Sequence, residues 1–290
     1  MAEIQLNDPQ TLYRRWEGSQ WNPFEVDLEC DKEQWAELAD EDRDLICWLL
    51  AQLLVAEERI TTKFSGLVGA YGNEEEATFL ATQQVDEARH MQFYARFQDE
   101  VIAEPDTVSA HVERGRQEVT PAFRKIFDEA LVQAHEQLVA APRGLAAKVR
   151  FVTIYHLILE ATLGLTTFNF ATEYLKREEL LPGFVEGYSH IHRDETRHVG
   201  YGVWFLRESA REHDEGTEAV RQTLRDLLPS VAEALGGAGN GSGPDIERLG
   251  VSTDGVRSFA LDGLTRRLEI IGVPLSTLRA RPLDDAPVVT

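Results

Sequence analysis

Between Asp31 and Leu235 apolar residues recur at intervals of three and four, strand-like alternation is missing, and Gly and Pro are confined to a few junctions. That spacing is the period of amphipathic helices, so the chain reads as all-α. The pattern predicts helices over Glu33–Tyr71, broken at Gly72-Asn73, and over Glu74–Ala103, ended by Pro105. A more polar region, Val108–Ala141, divides into two shorter helices around Pro121, and Pro142-Arg143-Gly144 marks the next turn. Helices then follow over Leu145–Arg177, Phe184–His213 and Glu215–Leu235. The stretch GGAGNGSGPD, Gly236 to Asp245, reads as a loop, with one further helix near Thr253–Ile271 and a polar tail. No repeat of solenoid period is present.

One segment could be read in two ways. Phe151 to Ala171 is long enough to cross a bilayer and nearly free of charge, yet its middle holds Glu160 with His156 one turn earlier. An ionisable pair at bilayer depth is costly. A helix apolar all round also suits the centre of a bundle, and the polar helices on both sides favour that reading over a membrane span.

Composition narrows the classes. With 29 Lys+Arg against 50 Asp+Glu the formal net charge is −21, and no Lys/Arg run exceeds two, which argues against a nucleic-acid partner. Scarce lysine and abundant carboxylate suit a high-salt cytoplasm, where screening relieves self-repulsion. Two cysteines cannot build a disulfide scaffold, and the start MAEIQLNDPQ lacks the basic and apolar regions of a signal peptide. The expectation is a cytoplasmic protein. With 43% hydrophobic residues there is ample material for a core, and the chain is read as one domain over 1–290, with 1–30 as an N-terminal extension and 236–290 as loop, helix and tail.

The chemistry is announced by an echo. Asp86-Glu87-Ala88-Arg89-His90 and Asp194-Glu195-Thr196-Arg197-His198 each place Glu and His three apart, on one face of a helix, where a single cation can take an oxygen and a nitrogen from one turn. Each is preceded by a glutamate inside an apolar run, Glu57 in LLVAEERI and Glu160 in HLILEATLG. Two helices giving a glutamate and two giving Glu-x-x-His is the ligand pattern of ferritin-like di-iron and di-manganese carboxylate bundles. Four carboxylates and two imidazoles make a hard, anionic site suited to iron or manganese. The fold expected is therefore a ferritin-like bundle, a four-helix di-metal core with additional helices. A single Glu-x-x-His is usually a solvated helix face; two matched copies, each paired with a buried glutamate, are not readily produced that way. The gap from Glu87 to Glu160, with a helical excursion inside it, is too long for a short ferritin or rubrerythrin bundle.

Trp21-Asn22-Pro23-Phe24-Glu25-Val26-Asp27, the block Glu57-Glu58-Arg59-Ile60-Thr61, both Asp-Glu-x-Arg-His strings and Leu181-Pro182-Gly183 together resemble the ribonucleotide reductase small-subunit superfamily, from Leu12 to about Leu278. Within it the chain looks most like the ligand-binding oxidases. Glu57 stands where the reductases often have aspartate, and Tyr155, five before Glu160, stands where the oxidases place the tyrosine of a tyrosine-to-valine ether cross-link. The resemblance implies a manganese/iron or di-iron cluster held by Glu57, Glu87, His90, Glu160, Glu195 and His198, dioxygen as oxidant, a long-chain fatty acid as ligand, a homodimer, and two-electron oxidation of a C–H bond. Ile60, on the face of Glu57, would be the branched partner of the cross-link, where the family more often has valine.

Tyr94 departs from that branch. It occupies the position of the radical-forming tyrosine of many reductase small subunits, where the oxidases carry phenylalanine; the alternative is a core aromatic with its hydroxyl on a metal carboxylate. Against the reductase role, no tyrosine follows Tyr201 to serve as the radical relay that those subunits carry near their C-terminus. Trp21 and Asp194 occur in both branches, and Asp194 or Asp86 is expected to accept a hydrogen bond from a ligand histidine. Leu157, Leu159, Leu163 and Phe168 are expected to wall off the oxidant. The alternatives to the oxidase are a reductase small subunit, which makes a radical for a large subunit, and a binding module that holds a fatty acid and consumes no dioxygen.

Overall fold

A computed structural model describes residues 5–102, 105–236 and 246–278 of the 290-residue chain. Among the described residues there is no strand, and the all-α expectation holds. The loop expected over Gly236–Asp245, apart from Gly236, and the tail after Leu278 lie outside the described residues.

Helix α1 (Pro9–Glu17) lies in the region read as an extension. Asp8 caps it by accepting from the Thr11 amide at 2.8 Å, and Pro9 sits in its first turn. The single helix expected over Glu33–Tyr71 is three: α2 (Glu29–Glu37), α3 (Asp40–Lys63) and α4 (Ser65–Gly69). The chain leaves helical geometry at Leu38 and Ala39, where no Gly or Pro signals a break. Helix α5 (Glu74–Phe97) begins at Asn73, whose side chain accepts from the Glu76 amide, and runs into a π-helical turn over Gln98–Ile102. The Pro121 junction is where the sequence puts it, between α6 (Val108–Glu118) and α7 (Pro121–Arg124), with a π-helical turn and α8 (Leu131–Ala140) following.

The apolar run is α9 (Leu145–Val152), a π-helical stretch over Thr153–Gly164, and α10 (Leu165–Arg177). Within it the Leu165 amide bonds the Glu160 carbonyl, five residues back rather than four. Residues 145–177 are long and apolar enough to cross a membrane by length and composition, but 78% of the most apolar window is buried in the fold, as a bundle-core helix requires. The chain closes with α11 (Pro182–Glu212), α12 (Asp214–Ala234) and α13 (Thr253–Ile271).

Helix α3 packs on α5, α11 packs on both the π-helical stretch and α5, and the apolar faces of these four segments form the core. Two devices set α11 in place. Asp31 of α2 accepts from the amides of Gly183 and Phe184 at 2.8 and 2.7 Å, satisfying donors that open the helix. Gly187 and Gly202 lie against the Phe93 ring and the His156 side chain so closely that any Cβ would collide. These contacts fix α11 on either side of the Glu195–His198 turn.

Candidate metal centre

The six expected ligands converge in the interior, each at most 7% exposed. Ligand atoms of Glu57, Glu87, His90 and Glu195 lie within 4.8 Å of one another, as do those of Glu87, Glu160, Glu195 and His198. Glu87 and Glu195 belong to both groups, so the arrangement has two adjacent sites sharing two carboxylates. His90 Nδ1 stands 3.3 Å from Glu87, 3.4 Å from Glu195 and 3.7 Å from Glu57. His198 Nδ1 stands 3.1 Å from Glu87, 3.3 Å from Glu160 and 3.8 Å from Glu195.

Both imidazoles aim Nδ1 inward and Nε2 at an aspartate on the other motif. His90 Nε2 is 3.3 Å from Asp194 Oδ2, and His198 Nε2 is 3.2 Å from Asp86 Oδ2. The crossed pairing is invisible in sequence, because it depends on how α5 and α11 face each other. Each aspartate accepts from an indole, Asp86 from Trp16 at 2.9 Å and Asp194 from Trp21 at 2.8 Å, while Arg197 donates to both at 3.0 and 2.6 Å. A carboxylate held in this way keeps the histidine proton on Nε2 and leaves the Nδ1 lone pair for a cation. Sequence reasoning missed Trp16, Arg197 and Gln83. Gln83 donates to Glu160 Oε1 and accepts from His156 Nε2, both at 3.2 Å, and burial keeps His156 neutral by pushing its pKa well down.

Electrostatics and hydrogen bonding test whether these residues fit a metal pair. Burial, with repulsion among the carboxylates, drives Glu57 and Glu160 well above the ordinary carboxylate range and raises Glu195. Although burial opposes it, His198 and His90 hold Glu87 well below that range. The buried atoms Glu57 Oε2, Glu87 Oε2, Glu160 Oε2, Glu195 Oε2, His90 Nδ1 and His198 Nδ1 have no hydrogen-bond partner. Buried polar atoms are normally satisfied, and six orphans facing one point call for a shared positive partner. Four carboxylates balance two divalent cations, and the oxygen-rich donor set suits iron or manganese. The residues fit.

The aromatic residues near the cluster differ among themselves. Tyr155 donates to Glu87 Oε1 at 2.5 Å. Tyr94 is fully buried beside Phe93, Phe184 and Tyr188, and its hydroxyl has no hydrogen-bond partner, so the bond to a metal carboxylate that one of its two readings requires is not made. Burial, then Tyr188 and the site carboxylates, raise its pKa well above the ordinary value.

A cavity of about 190 Å³ opens on the cluster between α3, the π-helical stretch, α10, α12 and α13, and its only charged lining residues among those described are Glu57, Glu160 and Glu195. Of the expected wall, Leu159, Leu163 and Phe168 line it, together with Ile60; Leu157 is buried in the core but does not.

Comparison with known proteins agrees with this architecture. An R2-like ligand-binding oxidase carrying a valine-to-isoleucine substitution, described with an aerobically reconstituted Mn/Fe cofactor, superposes with a TM-score of 0.80 at 24% identity over 91% of this chain and 94% of its own. A glycine-to-phenylalanine mutant, again with an aerobically reconstituted Mn/Fe cofactor, gives 0.80 and 24% over 91% and 97%. A tyrosine-to-phenylalanine mutant with the cofactor reconstituted anaerobically gives 0.78 and 24% over 91% and 93%. These likenesses establish the shared helical fold. The profile described as "Ribonucleotide reductase, small chain" matches residues 1–235, and the chain belongs to that family.

Proposed function

We propose that the protein is a dioxygen-activating oxidase with a manganese/iron cofactor, which carries out a two-electron oxidation of a C–H bond with a long-chain fatty acid bound beside the metals. The observation that carries this reading is the apolar cavity ending on Glu57, Glu160 and Glu195. A radical generator for a partner subunit has no need of such a cavity; an oxidase that takes an apolar ligand does. Glu57 and His90 would hold one metal, Glu160 and His198 the other, with Glu87 and Glu195 common to both. When bound, the pair supplies Lewis acidity and redox equivalents for dioxygen reduction.

The remaining roles fall to the protein. Asp194 and Asp86 fix the histidine tautomers, and the apolar wall formed by Leu159, Leu163 and Phe168 keeps water and reductants from the site. The Tyr155 hydroxyl donates its proton to Glu87 Oε1 across an oxygen–oxygen distance of 2.5 Å, and Ile60 lines the cavity one turn after Glu57. An ether bond from the Tyr155 oxygen to the branched Cβ of Ile60 would remove one hydrogen from each, the two electrons passing to dioxygen. The proposed form is a cytoplasmic homodimer, with the whole 1–290 chain one di-metal domain.

The buried hydroxyl of Tyr94 favours a second reading, a reductase small subunit storing a tyrosyl radical. Reconstitution with Mn(II), Fe(II) and air separates them. The oxidase predicts about two metals per chain, lost on Glu160→Ala, a fatty acid in the organic extract, and a loss of two hydrogens mapped to the Ile60 and Tyr155 peptides. A lasting radical signal removed by Tyr94→Phe, with the mass unchanged, would establish the reductase instead.

A further inference from the structure

On the far side of Phe168 and Thr166 from the metal cavity lies a second pocket of about 330 Å³, between α10, α11 and α13. Its lining is unusual for a chain of net charge −21: Lys176, Arg266 and Arg267 face it, with Glu173 the one carboxylate. Most arginines elsewhere are tied to carboxylates or carbonyls, as Arg59 is to Asp128, Arg96 to Glu100 and Arg197 to two aspartates. Lys176, Arg266 and Arg267 have no hydrogen-bond or ion-pair partner among the described residues.

Arg267 is also set in place. Gly263, one turn earlier, is buried, and a Cβ there would stand 2.9 Å from Arg267 Nη1, so the missing side chain leaves room for the guanidinium to lie along α13. Burial, and Arg266 beside it, press the Arg267 pKa down from its ordinary value, the sign of a cation without compensating charge. His192 closes the floor, stacked on Phe168 at 5.3 Å and kept neutral by burial and by Lys176. Leu165, Phe168, Phe259 and Ala260 add an apolar part to the lining.

We propose that this pocket binds a small amphipathic anion, a carboxylate or phosphate monoester on a short apolar body, with its oxygens on Arg267, Arg266 and Lys176 and its body against Phe259 and Leu165. Guanidinium forks match both oxyanions, and the apolar part of the lining distinguishes a ligand from a bare counter-ion. The assignment is independent of the metal reading, since none of the lining residues is among the six expected ligands.

Titration calorimetry on the full-length protein, with hexanoate, hexyl phosphate, acetate and inorganic phosphate as probes, tests it. The arms identify the headgroup: hexanoate above hexyl phosphate assigns a carboxylate, the reverse order a phosphate. Either hexyl anion is expected to bind at least tenfold more tightly than its bare counterpart, and Arg267→Gln to weaken it about tenfold or more, as the loss of one charge-assisted contact does. Metal content of Arg267→Gln should match the parent. Phenylglyoxal labelling read by mass spectrometry, with no variant needed, should show Arg266 and Arg267 protected by the same anion. Binding unchanged by Arg267→Gln, equal affinity for bare and hexyl anions, or labelling without protection would each overturn the proposal.

Discussion

Asp194 and Asp86 do the least visible work in the centre, yet they set the chemistry of both histidines. Replacing Asp194 by Asn leaves the shape intact but removes the charge that holds the proton on His90 Nε2. Metal affinity at the His90 side is expected to fall about 10–100-fold, measured by competition with a chelator, with helicity unchanged. Affinity equal to the parent would show that the aspartate is only a structural acceptor. At this scale the sequence was most informative about Glu87, His90, Glu195 and His198, because a spacing of three in a helix dictates a shared face whatever the tertiary structure. It was silent on which aspartate serves which histidine, since that follows from the approach of α5 to α11. It left Tyr94 open between a radical-forming tyrosine and a core aromatic bonded to a metal carboxylate; the hydroxyl is buried among aromatic rings with no hydrogen-bond partner.

Helix α11 carries half of one motif pair and depends on positioning from outside itself. Asp31→Ala removes the acceptor for two opening amides and is expected to cost about 1–2 kcal/mol, read from the urea midpoint. Gly187→Ala would force α11 away from Phe93 at a cost of roughly 1–3 kcal/mol and also lower metal occupancy, whereas Asp31→Ala should leave occupancy unchanged. Helix boundaries were legible where chemistry marks them, at Pro121, at Asn73 and at Gly272 with φ 87°. The Leu38-Ala39 break carries no such mark, and the π-helical stretch cannot be told from an α-helix because no Gly or Pro interrupts the run before Gly164. Helix α1 could have been found: Asp8 followed by Pro9 is a start signal, in a segment whose polarity disguised it.

For the whole molecule, the chain has a formal net charge of −21, and many of its ion pairs are exposed. Exposed pairs contribute little, so repulsion among unpaired carboxylates dominates at low ionic strength. The melting temperature is expected to rise steadily as KCl increases from about 0.1 to 1 M, over which the Debye length shrinks from about 10 to 3 Å. A melting temperature that falls with salt would mean that the surface pairs outweigh the repulsion. Chelation should lower the melting temperature, because metals bind the folded cluster and not the unfolded chain.

The proposed centre requires six side chains from four helical segments to surround two cations. Anomalous diffraction at the iron and manganese edges, from crystals of the protein reconstituted with both metals, addresses it directly. Two peaks are expected, one beside Glu57 and His90 and one beside Glu160 and His198, each within bonding distance of Glu87 and Glu195. A single peak, or metal found only outside this cluster, would contradict that arrangement.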